Sequence, residues 1–107
     1  MIARIWRGIT PADQADGYLA FLRENALQRY AEIPGNRGVH VLRRDQGEHT
    51  EIMIVSLWDS LDAVRAFAGE RAEASVYYPE EDRFLLEMEP LVRLYDVVDR
   101  VEDPAQD

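Results

Sequence analysis

Residues 57–95 decide how this chain folds. They read Leu57-Trp58-Asp59-Ser60, Ala66-Phe67-Ala68-Gly69, Val76-Tyr77-Tyr78-Pro79-Glu80, then Glu89-Pro90 and an apolar run ending Leu94-Tyr95. A strand ends at Trp58, and Ser60 with Asp62 opens a short helix by capping its free amides and matching its dipole. That helix presents Leu61, Val64, Phe67 and Ala68, and Gly69 closes it. Two adjacent tyrosines and an acidic run lead to a last strand over 89–98.

Upstream, Glu51-Ile52-Met53-Ile54-Val55-Ser56-Leu57-Trp58 is apolar nearly throughout, the pattern of a strand buried on both faces. Asp45-Gln46-Gly47-Glu48-His49 is a polar hairpin loop, so residues 37–45 and 50–58 pair as neighbouring strands. Further back, Thr10-Pro11-Ala12-Asp13 has the chemistry of a helix start, with threonine as the expected cap. Ala15, Tyr18, Leu19, Leu22, Ala26, Tyr30 and Ile33 then recur at helical spacing on one face, up to Pro34-Gly35. Residues 2–9 alternate as a strand, with Ala3, Ile5 and Arg7 opposite Ile2, Arg4 and Trp6.

The order is β-α-β-β-α-β, an α+β, ferredoxin-like fold with a four-stranded antiparallel sheet. Two helices cover one face of such a sheet. The second face carries apolar residues as well, and a second copy of the sheet is the simplest cover. A homodimer, two sheets closing into a dimeric α+β barrel, is the expectation. Residues 1–98 form the domain, and 99–107 are an acidic, proline-containing tail expected to be disordered.

At 107 residues with a formal charge of −9, the chain is one small domain whose surface disfavours nucleic acid and anionic membranes. It has no run long enough for a membrane span and no secretory leader pattern. It contains no cysteine, so thiolate chemistry and disulfides are excluded and a cytoplasmic location is the default. All twelve basic residues are arginine, which rules out Schiff-base chemistry on a lysine. There is no phosphate loop, no serine-hydrolase elbow and no histidine–carboxylate spacing for a metal, so no cofactor or metal is expected.

The Leu57–Tyr95 pattern resembles the antibiotic biosynthesis monooxygenase family, whose members are small dimeric α+β barrels. Some members of that family oxidise electron-rich phenols with dioxygen and no cofactor, the substrate supplying electrons once a proton is removed. Others degrade haem, using an Asn on the first strand, a Trp on the second helix and a His after it. The matching places here hold Trp6, Phe67 and the Tyr77-Tyr78 stretch, so the resemblance implies loss of the haem-degrading set. Leu94-Tyr95 stands where many such sequences carry His-Tyr.

The candidate site is the space between helices and sheet, with Trp6, Arg7, His40, Phe67, Tyr77 and Tyr78 around it. Trp6 and Phe67 would bind a flat aromatic substrate by stacking. Tyr77, Tyr78 or His40 would assist proton removal, and Arg7 would stabilise the phenolate. Aromatics at strand and helix spacing also serve as plain core, and a lone histidine is often only a solvated polar residue. Two readings follow: a cofactor-independent monooxygenase acting on a small phenolic or quinone-like molecule, or a non-catalytic homodimer that binds a small molecule or protein partner.

Overall fold

A computed structural model describes residues 1–73, 76, 81, 84–88 and 91–101. Strand β1 (Ile2–Pro11) leads through a tight turn, Ala12–Gln14, into helix α1 (Ala15–Phe21). The helix continues through a wider π turn, Leu22–Ala26, into α2 (Leu27–Glu32). Strands β2 (Asn36–Gln46) and β3 (His49–Trp58) form the hairpin, α3 spans Leu61–Ala68, and the chain returns through β4 (Glu87–Met88) and β5 (Arg93–Asp96). The sheet order is β2-β3-β1-β4, with β5 also on β1, and every pairing is antiparallel. The last strand is therefore in two pieces rather than continuous over 89–98.

Local chemistry explains most boundaries. The Ser60 side chain accepts from the Ala63 amide, and Gly69 ends α3 at a φ of 92°. Gln46 pairs with His49, which leaves Gly47-Glu48 as a two-residue turn, with Gly47 at a φ of 68°. Thr10 is not the cap the sequence suggests. It is the ninth residue of β1, fully buried, and its hydroxyl donates to the Phe84 carbonyl at 2.7 Å. Strand pairing with Thr50 and His49 carries the chain two residues beyond the expected end, so Pro11 precedes the first turn. Leu61, expected on the buried face of α3, is exposed.

The two faces of the sheet have different fates. Arg4, Trp6, Thr10, Ile52, Ile54, Ser56 and Trp58 lie under the helices and are buried. They meet Tyr18, Leu22, Ala26, Tyr30, Val64 and Phe67 from the helices. Opposite them, register aligns Ala3 with Leu57, Ile5 with Val55 and Arg7 with Met53. It also aligns His40 with Val55 and Leu42 with Met53. This second face is half-buried or exposed, so β3 alternates within one chain instead of being enclosed on both sides. Its apolar character is the feature that a second sheet would cover.

Candidate functional site

The helix-covered face holds an unusual amount of polar chemistry for a core. Arg4, on the central strand, is 2% exposed. Its guanidinium lies over the Phe67 ring, 5.3 Å from the centroid, donates to the Ala72 carbonyl at 3.5 Å and hydrogen-bonds the Tyr30 hydroxyl. Burial lowers its pKa, and Tyr30 opposes that shift; an arginine remains charged all the same. Alternation puts Arg4 and Trp6 on one face, and the glycine at position 8 lets the Trp6 indole lie back along the strand. A Cβ at Gly8 would meet that ring at 2.5 Å.

Facing Arg4 and Trp6 is a second polar pair. The Tyr18 hydroxyl donates to a Glu81 carboxylate oxygen at 2.7 Å, and Glu81 is itself 3% exposed. Burial, and then the Glu81 charge, push the Tyr18 hydroxyl above its ordinary value, so Tyr18 stays a neutral donor. The linkage has a definite sign. The stability this group confers is fully present below about pH 10, the unfolded tyrosine value, and is lost as pH rises through the higher folded value. Tyr18→Phe is therefore expected to flatten the fall of thermal midpoint between pH 9.5 and 11, measured by scanning calorimetry. An unchanged alkaline slope would show that Tyr18 does not carry it.

Arg4, Trp6, Tyr18, Leu22, Ala26, Tyr30, Ile54, Val76 and Glu81 surround a cavity of about 20 Å³. That is room for about one water, against about 150 Å³ for a cavity that holds benzene. Leu22 and Ala26 in its wall bound the π turn, an insertion often found beside functional sites. Next to the cavity lies a packed aromatic group. Tyr30 and Phe67 have centroids 4.3 Å apart, Trp58 and Phe67 5.4 Å, and the Trp58 indole donates to Ser56 Oγ at 2.9 Å.

The sequence-derived residues divide accordingly. Trp6 lines the cavity, and Phe67 packs behind Arg4 on the same side of the sheet. Arg7 and His40 are not brought to it. Arg7 follows Trp6 directly and so points to the other face, where it pairs with Glu51; Arg44 approaches the same carboxylate at 3.4 Å. These arginines hold Glu51 below the ordinary carboxylate range, the Arg7 hydrogen bond being the larger cause. His40 is exposed on β2, opposite Val55 on that second face. Tyr77 and Tyr78 lie outside the described residues, between Val76 and Glu81 in sequence, both of which line the cavity.

Arg4, Tyr18, Tyr30 and Glu81 are the cavity residues that sequence reasoning did not single out. A parity signal existed for Arg4, which shares its face with Trp6. Glu81 sits in the run Glu80-Glu81-Asp82, which reads as solvated.

A profile of the antibiotic biosynthesis monooxygenase family matches residues 1–73. The chain belongs to the antibiotic biosynthesis monooxygenase family. Solved structures place it in the same fold. A putative antibiotic biosynthesis monooxygenase from Bacillus cereus superposes with a TM-score of 0.65 at 12% identity, covering 95% of this chain and 97% of that one. MhuD, the haem degrader of Mycobacterium tuberculosis, in a structure with two haems in its active site, gives 0.67 at 22% identity, covering 95% and 100%. A NIPSNAP domain protein from Burkholderia xenovorans gives 0.67 at 16%, covering 96% and 100%. No curated protein matches the chain.

The haem bound by MhuD does not fit the residues of this family member. Neither of the chain's two histidines lines the cavity, so neither offers an iron ligand there. His40 is on the opposite face of the sheet, and His49 is exposed at the hairpin end. Among the described residues no cluster of histidine, aspartate and glutamate is arranged for a metal, and no helix is long and apolar enough to cross a membrane.

Proposed function

We propose that this protein is a cytoplasmic, homodimeric, cofactor-independent monooxygenase acting on a small phenolic or quinone-like aromatic molecule. The single observation that supports this most is the meeting of Arg4, Tyr18, Tyr30 and Glu81 around one small, aromatic-walled cavity. A buried cation favours a phenolate over the phenol, because an adjacent opposite charge stabilises the ionised form. Glu81 is the base: the Tyr18 hydroxyl donates to one of its carboxylate oxygens and fixes its direction, and the carboxylate takes the substrate proton. Trp6 and Tyr30 hold the ring. For an anthrone, the ring CH₂ and dioxygen give a ring carbonyl and one water, so all four electrons come from the substrate carbon.

Arg7 and His40 are assigned in this reading to the subunit face rather than to chemistry, because they lie on the second face of the sheet. Tyr77 and Tyr78 remain proposed contributors to the same site, on the strength of their place in the sequence. A ring larger than the cavity displaces wall side chains when it binds.

The second reading, a non-catalytic homodimer, rests on one observation, the smallness of that cavity. Oxygen consumption separates the two. Wild-type protein with a panel of anthrones and hydroquinones is expected to consume oxygen saturably, and Glu81→Gln to slow turnover about 100-fold, within the usual range for loss of a general base. His40→Ala is expected to leave turnover within twofold. Tyr77→Phe and Tyr78→Phe are measured alongside, and a fall of about tenfold or more in either adds that hydroxyl to the site. No uptake above buffer for any compound that binds would leave the non-catalytic reading standing.

A further inference from the structure

A second concave site lies on the outer side of the helix wall. Leu19, Leu22, Leu27 and Val41 form its apolar floor, and Arg23 and Arg43 stand at its rim. Its volume is about 350 Å³, within the range of small-molecule sites and far larger than the inner cavity. The groove runs between the π turn and β2, which is the free edge of the sheet. Leu22 lines both spaces, so one side chain separates the groove from the cavity.

The two rim cations differ. Arg43 is fixed by Asp16 at 2.8 Å and Asp45 at 3.0 Å, which neutralise it and hold it in place. Arg23 makes no hydrogen bond or ion pair among the described residues. A guanidinium without a partner among the described residues, beside four aliphatic side chains, matches an apolar or aromatic body carrying a single anionic group. We propose that this groove binds an aromatic carboxylate, its ring on Leu19, Leu27 and Val41 and its carboxylate on Arg23. The site is distinct from the oxidation site proposed above and stands without it.

The test uses 2-naphthoate as the anionic probe and 2-naphthalenemethanol as its neutral counterpart, titrated by calorimetry against the full-length protein. Naphthoate is expected to bind saturably and more tightly than the alcohol. Arg23→Glu replaces attraction with repulsion at an exposed position, and is expected to weaken naphthoate about tenfold while leaving the alcohol within twofold. Val41→Trp, tolerated on an edge strand, fills the groove and is expected to weaken both probes. Naphthoate affinity within twofold of wild type in Arg23→Glu would overturn the proposal. So would equal affinity of the two probes, or no saturable binding. Because the readout is binding alone, absence of oxygen uptake leaves this result untouched, and loss of groove binding leaves the oxidation test untouched.

Discussion

Sedimentation at low micromolar concentration is expected to show one species of twice the 12.3 kDa chain mass, and Val55→Asp is expected to convert it to a destabilised monomer. Val55 sits at the middle of the uncovered face, between Ile5 on β1 and His40 on β2. Ala3, Ile9, Met53 and Leu57 extend the same apolar surface along the strands. A carboxylate placed there would be buried by a facing sheet without a designed partner, at a cost of several kcal/mol. For a domain of this size that lowers the thermal midpoint by more than about 10 °C. Arg7 and Arg44 pair with Glu51 at the margin of this apolar surface. A stable wild-type monomer, or a Val55→Asp protein with wild-type mass and midpoint, would contradict the barrel arrangement.

Arg4→Ala is expected to be among the most damaging single changes outside the apolar core, at about 3–5 kcal/mol, from the void it opens and the buried polar groups it leaves without a donor. It removes the cation over Phe67 and the donors to Ala72 and Tyr30 together, and leaves a void beside the cavity. Arg4→Met keeps most of the volume and is expected to recover part of that stability. It recovers no turnover, because the phenolate loses its counter-charge. Thermal midpoints and oxygen uptake of the two variants check both halves. If Arg4→Met matches wild-type turnover, Arg4 is a packing residue and the proposed chemistry is misplaced.

The architecture was largely legible in the sequence because both periodicities are strong. The helix stripe Tyr18, Leu22, Ala26 and Tyr30 is buried as its spacing demands, and Ser60 and Gly69 bound α3 as their chemistry predicts. The site was less legible. Trp6, which lines the cavity, and Phe67, which packs on Arg4, stand out in the sequence as bulky aromatics, but Arg7 was grouped with Trp6 although adjacent strand residues point to opposite faces. Parity selects Arg4. Only tertiary packing under Phe67 shows why a guanidinium is tolerated there. Glu81 was hidden for the same reason: nothing local distinguishes it from Glu80 or Asp82 until the Tyr18 hydroxyl is seen against it. The sequence also offered threonine at position 10 as a cap, and long-range strand pairing with β3 overrode that local preference.

The most direct test of the central claim is a crystal structure of the protein with a water-soluble hydroxyanthraquinone, a product-like ring. Ring density is expected between helices and sheet, against Trp6 and Tyr30, with a phenolic oxygen within hydrogen-bond reach of Arg4 and Glu81. Density confined to the second face of the sheet, beside Arg7 and His40, would contradict it.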